Sequence, residues 1–226
     1  MRNGRTKASA LRNQRIGFDL IRFSTLCPFA ERSVITYGIA LPATASLDNQ
    51  IESLHSQLTA YVDTLKAGEF SDGFAAQIPA RYFGSSLETL ARGFLDVYVG
   101  LRMLDGVTLD KIEEECIDEP GWQLTIAGQR MFTLVFSPIY PETHPRHSPD
   151  PESIYILFQP ESSFFERLNR DKMNLTTRRK VKRRIRERFA KGGRPYDPKD
   201  KVPLLEAPKY IKPIRLGADD VAWWKR

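Results

Sequence analysis

Only three histidines occur in the 226 residues, and two of them, His144 and His147, fall in one proline-rich segment, Tyr140-Pro-Glu-Thr-His-Pro-Arg-His147. A neutral imidazole offers one ring nitrogen to iron, zinc or copper. Glu142, His144 and His147 are chemically able to form a two-histidine-one-carboxylate set. Their spacing matches no familiar metal motif, however, and only His55 remains elsewhere, which excludes zinc chemistry of the HExxH kind. One histidine is enough for the proximal ligand of a heme, with the opposite position open for oxygen. Arg146, two residues on, suits a carboxylate such as a heme propionate. The competing reading is a solvated loop that binds nothing.

Other residues offer weaker chemistry. Cys27, in Leu-Cys-Pro-Phe-Ala, has a thiol that as thiolate ligates heme or attacks an electrophile, yet free cysteine is also a common buried filler. Cys116 lies among acids, which disfavour a thiolate. His55 flanks the apolar stripe of a helix and reads as core-edge packing. Arg81 precedes a helix start, where an anion is favoured, or is a solvated loop residue.

Charge is unevenly placed. Residues 167–194 hold thirteen Lys or Arg against Asp171 and Glu187, more than the whole chain's excess of +6. Within 176–191 the apolar positions Val181, Ile185 and Phe189 are four apart. The pattern predicts a helix with a thin core face and a broad basic one, carrying Arg179, Lys180, Lys182, Arg183, Arg184 and Arg186. Such a face suits nucleic acid, an acidic membrane surface or an acidic protein. It also suits plain solvation, and no RNP, zinc-finger or GxxG context accompanies it.

Two strands must hold the histidine segment. Met131–Phe136 and Ser153–Phe158 are rich in aromatic and β-branched residues with proline just outside. Pro138, Pro141, Pro145 and Pro149 restrict the connection between them. Further strands are expected over 33–41 and 122–126. Residues 16–26 read as a short helix or extended lead-in. Leu47, Ile51, Leu54, Leu58, Tyr61, Val62 and Leu65 recur at helical spacing, capped by Ser46 and stopped by Gly68. A loop is expected over 69–84. A second helix follows from Ser85 or Ser86 with Leu87, Leu90, Ala91, Phe94, Tyr98 and Leu101 on one face, then a short acidic helix over 109–116. Residues 163–168 suggest a helical turn. The class is α+β, with a mixed or antiparallel sheet packed by helices. A flexible basic arm over 1–15 precedes one domain over 16–196. An extension over 197–226 follows, with Trp223 and Trp224 folded back onto the body.

Composition sets outer bounds. With 41% hydrophobic residues the chain supports a globular core, and two cysteines are too few for a disulfide scaffold. No apolar run reaches the roughly 20 residues of a membrane helix, and the N-terminus does not read as a signal peptide. The default is a cytoplasmic protein with free thiols.

The order of four segments resembles the YqcI/YcgG family: Cys27-Pro-Phe-Ala30; the strand 132–136 leading to His144-Pro-Arg146; Ile156-Leu-Phe-Gln-Pro160 with Phe164-Phe-Glu-Arg-Leu168; and 181–188 before Gly192-Gly193. That family includes heme-dependent N-hydroxylases acting on guanidino and amino-acid-like substrates. The resemblance implies heme held by His144, with Arg146 on a propionate or substrate carboxylate and Cys27 in the heme-pocket wall. It implies a monooxygenase using O2 and an external electron donor. Arg81 would help hold a heme propionate, and Arg81 or an arginine of the basic helix would take a substrate carboxylate. Glu142, Glu88 or Asp96 would take its amine or guanidine, so that Arg146 and Glu142 form the expected catalytic pair. Two departures bear on substrate: the long proline-rich lead into His144, and an ending unlike that of the relatives. The alternatives are a nucleic-acid or acidic-surface binding module built on the basic helix, and a non-catalytic structural protein. The sequence leaves oligomeric state open, a homodimer included.

Overall fold

The computed structural model describes residues 17–163, 175–195, 205–215 and 217–225. The expected basic arm over 1–15 and residues 164–168 of the expected helical turn lie outside them. Five strands, β1 (Ile35–Tyr37), β2 (Gly73–Pro79), β3 (Leu124–Ile126), β4 (Gln129–Phe136) and β5 (Ser153–Pro160), form one mixed sheet in the order β1-β2-β5-β4-β3. The described helices are α1 (residues 17–24), α2 (Leu47–Lys66), α3 (Leu87–Leu104), α4 (Leu109–Glu113) and α5 (Leu175–Lys191), with a further helical start at residues 161–163. The observed class is the expected α+β.

The sheet is organised on β5. Its sequence SIYILFQP is apolar nearly throughout because it is central and covered on both faces. It pairs antiparallel with β2 on one side and β4 on the other. Ile154, Ile156 and Phe158 face the main core, shared with Leu54, Leu58 and Val62 of α2 and with Leu90, Phe94 and Leu101 of α3. Tyr155 and Leu157 face a second cluster containing Phe18 and Ile21 of α1. Each such buried side chain contributes roughly 1.5–3 kcal/mol of hydrophobic stabilisation before entropy is counted.

The helix starts are where side-chain chemistry puts them. Ser46 caps α2 by accepting from Asn49 N, and Ser86 with Thr89 makes a capping box at α3. Gly100 lets α3 approach α2: a Cβ there would stand 2.8 Å from Ile51 Cγ2.

Several expectations need correction. The loop expected over 69–84 contains β2, an inner strand. Phe74, Ala76 and Ile78 do alternate, and their small neighbours conceal the pattern. The strand expected over 33–41 shrinks to β1 at the sheet edge. The Asp72 carboxylate takes Val34 N at 2.7 Å, and Ile39 N turns to the Gln57 side chain, so these two donors are drawn out of the ladder. The helix expected over 109–116 stops at Glu113, because Glu115 is turned inward. Its carboxylate accepts from Tyr98 Oη at 2.6 Å, Trp122 Nε1 at 3.0 Å and both Nε and Nη2 of Arg102 at 3.0 and 2.7 Å. Burial pushes the Glu115 carboxyl up, but these hydrogen bonds outweigh it and hold the group below the usual range. Trp122, expected at a strand start, packs with Tyr98, Tyr210 and Trp223 instead. His55, expected as core-edge packing, meets Asp105 at 2.7 Å and so ties α2 to the end of α3.

The C-terminal residues complete the core. Beyond Met131, β4 has no β3 partner, and Tyr210 lies along that open edge. Its carbonyl accepts from Val135 N at 3.1 Å, and its hydroxyl donates to Met131 O at 3.0 Å and accepts from Leu124 N at 3.2 Å. Trp223 stacks on Tyr210 at 5.8 Å, with Phe94 edge-on at 4.8 Å, and is 1% exposed.

Candidate functional site

Between β4 and β5 the chain leaves the sheet at Phe136 and returns at Ser153. The excursion is pinned at its base: Ser137 N donates to Arg146 O, and Ser148 N donates to Ser137 O, each at 3.1 Å. Pro141 O accepts from His144 N at 2.7 Å, and His144 O accepts from His147 N at 3.1 Å. The prolines thus work inside a turn that its own backbone bonds close.

The Tyr140 ring lies beneath His144, stacked at 4.3 Å with an interplanar angle of 8°. The Tyr140 hydroxyl donates to Lys212 O at 2.8 Å and accepts from Lys212 N at 3.3 Å. Arg146 is buried; its Nη2 donates to Lys209 O at 2.9 Å, and its guanidinium lies over the Phe136 ring. Tyr140 and Arg146 therefore clasp residues 209–212 against the histidine turn.

A cleft of about 360 Å³ opens where these pieces meet, within the size range of small-molecule sites. One wall is Pro141, Thr143, His144, Pro145 and Arg146. Lys212, Pro213, Ile214 and Arg215 make the other, and Gly193 and Pro195, just past α5, close it. The lining residues include a histidine and three basic residues with prolines and an isoleucine. That chemistry suits a molecule with an anionic group and an apolar body.

The His144 ring is half-buried and neutral at ordinary pH. Burial lowers its pKa most, the Arg146 charge lowers it further, and the Pro213 carbonyl opposes them, leaving it at about 4. Nδ1 accepts from Arg146 N at 3.0 Å, so it carries no proton. With Nδ1 accepting, the neutral ring carries its proton on Nε2. An iron ligand must offer a lone pair, and with Nδ1 engaged and Nε2 protonated this ring offers none to the cleft. In this form the residues do not fit a heme ligated by His144. Ligation requires the proton to move to Nδ1, at the cost of the Arg146 N–H bond.

The other expected site residues are dispersed. Glu142 is exposed and is not among the lining residues. Arg81 donates to Ala45 O at 3.1 Å and covers the Tyr82 ring, outside the cleft. Cys27 is free. Burial pushes its thiol up, outweighing the backbone N–H groups of Phe29 and Ala30 and the charge of Arg188, which makes it a poor thiolate. It does not line the cleft, although Leu26 packs on Gly192, next to lining Gly193. Glu88 pairs with Arg92 on the surface. His147 Nδ1 lies 2.7 Å from Tyr140 O, holding the turn from within. Among the described residues no group of three His, Cys, Asp or Glu is placed to hold a metal ion. Lys180, Arg183 and Arg184 are exposed and Arg186 half-exposed on α5; the Arg179 and Lys182 side chains lie outside the described residues.

Sequence reasoning missed the wall from Lys212 to Arg215. The one signal there was a Lys-Pro-Ile-Arg run soon after the apolar Tyr210-Ile211 pair.

Among comparisons with known proteins, no curated protein and no solved structure matches the chain. The family model of the YqcI/YcgG family matches residues 22–199, a stretch that ends before the 212–215 wall. Spanning well over half of the sequence and including the histidine turn, that match shows that the chain belongs to the YqcI/YcgG family.

Proposed function

We propose that the cleft around His144 binds a small molecule carrying a carboxylate or propionate, and that the protein is a heme-dependent monooxygenase. Its substrate would be a small amine or amino-acid-like compound, hydroxylated on nitrogen with O2 and electrons from an external donor. The observation that carries the binding half is the shared lining of the cleft: a neutral His144 together with Arg146, Lys212 and Arg215. The redox half rests on the family resemblance alone. Heme, when bound, would supply oxygen activation. As folded, the ring is not in ligating form; holding iron would require the proton to leave Nε2.

The chain's own residues have definite parts in this reading. Tyr140 fixes the plane of the imidazole. Arg146 holds Nδ1 through its backbone and Lys209 O through its side chain. Lys212 and Arg215 supply positive charge from the opposite wall, and the prolines and Ile214 keep the lining rigid and partly dry.

Titration with hemin tests the reading. One equivalent should give a Soret band that is lost or shifted in His144→Ala. Supplied with reductant and O2, the loaded protein should add one oxygen atom to amines or guanidines, read by mass. Folded protein that takes up no hemin overturns the redox half.

A further inference from the structure

The helix α5 carries nine Lys or Arg and one acid, Glu187, within seventeen residues. Without it the rest of the chain has a net charge of −2, so the positive excess of the whole chain resides on this helix. It is fixed to the body at its C-terminal end. Phe189 is buried, Arg194 Nη1 donates to Ser24 O at 3.2 Å, and Gly192 sits so close to Leu26 that an added Cβ would be 2.3 Å from its Cδ1.

The distribution of charge around the helix indicates the shape of a partner. Successive residues turn by about 100°. Ile185 and Phe189 mark the inward side. Arg186, Arg183, Lys180, Lys191, Arg184 and Arg188 then follow around the remainder, an arc of about 200°. Five of the six are exposed and Arg186 is half-exposed. A flat partner, such as a bilayer or the face of a globular protein, meets one side of a helix. A duplex groove meets it on three sides, with a row of phosphates along each edge. Lys180 and Arg184, and again Arg184 and Arg188, stand four apart as like charges, which disfavours the helix on its own. The Arg183–Glu187 pair at 3.5 Å relieves little of this, being largely exposed on both sides. Phosphates on two sides relieve it directly.

We propose that α5 is a binding element for the groove of a nucleic-acid duplex, engaging the phosphates of both strands without reading sequence. This is independent of the cleft. With roughly four to six phosphates neutralised, doubling the salt concentration should weaken binding about ten- to forty-fold.

Fluorescence anisotropy with the full chain tests it. The probes are a labelled DNA duplex and the RNA duplex of the same sequence, which together separate the two sources, with phosphatidylserine vesicles as the competing surface. The expected result is tight, steeply salt-dependent binding to at least one duplex. It should fall at least tenfold in Arg183→Glu/Arg184→Glu and persist in Arg92→Glu/Lys111→Glu, which has the same net charge on another surface. Circular dichroism confirms that each variant is folded. Absence of duplex binding at low salt, equal loss in both double variants, or binding to vesicles but not to duplexes overturns the proposal.

Discussion

Acidification should loosen the clasp around His144, and the size of the effect follows from the ring's surroundings. The pKa falls from 6.5 to about 4 on folding. The folded state therefore binds fewer protons than the unfolded state between those values. The associated stability is fully present above the unfolded pKa and is lost as pH falls toward the folded one. Taken at face value the full shift is worth about 3.4 kcal/mol. Because the ring is only half-buried, solvent screening reduces this, and about 1 kcal/mol should be lost between pH 7 and pH 5. Carboxylates begin to titrate at the lower end of that range, so the assay must isolate the histidine. Urea unfolding of the wild type and of His144→Gln at both pH values does so: the amide cannot take the proton, and the wild type should lose about 1 kcal/mol more than the variant. Equal losses would refute the account of a neutral, backbone-anchored ring, as would a His144 titration above pH 6 by NMR.

Other substitutions test the frame that holds the cleft. Glu115→Ala leaves Tyr98, Trp122 and Arg102 without their acceptor and should cost about 3–5 kcal/mol in chemical denaturation. Gly93→Ala gains about 1 kcal/mol of helix propensity. It also places a Cβ 2.8 Å from the Tyr82 carbonyl and 2.7 Å from Phe83 Cδ1. Since backbone must move, a net loss of about 1–2 kcal/mol should appear as a lower urea midpoint. Trp223→Ala empties the stack on Tyr210 and should cost about 3–5 kcal/mol. In native-state hydrogen exchange it should also release residues 207–215, and with them one wall of the cleft. Tyr140→Phe removes both hydroxyl contacts with Lys212 and should cost about 1–2 kcal/mol, with faster exchange at Lys212 N.

Much of this fold can be read from the chain because the pattern and the environment agree. The α2 and α3 stripes, their serine caps and the unbroken apolar run of β5 each state locally what the tertiary structure needs. β2 is hidden because Gly73, Ala75 and Ala76 contribute little hydrophobicity to an inner strand, and the packing of α2 and β5 against it decides the outcome. α4 ends early because a single carboxylate, Glu115, is drawn to partners distant in sequence, which no local rule reports.

The candidate site is half legible. His144, Arg146 and the prolines stand out by residue type, and the two strands that flank them form where expected. The opposite wall is some seventy residues away, brought in by Tyr140 Oη and the Arg146 side chain. That long-range clasp leaves no periodic trace. The tautomer of His144 depends on one backbone N–H, so the sequence supports an iron ligand while the folded turn presents a protonated Nε2. Arg81, Cys27 and Glu142 are drawn into the expected site by residue type and fall outside the cleft, because distances across a fold are not encoded in spacing along a chain.

Ring 15N NMR of His144, recorded before and after addition of one equivalent of hemin, tests the account most directly. The free protein should show a neutral ring with its proton on Nε2 and none on Nδ1. On addition of hemin, that signal should broaden away through the paramagnetic iron. A ring already protonated on Nδ1, or a resonance indifferent to a full equivalent of hemin, would contradict it.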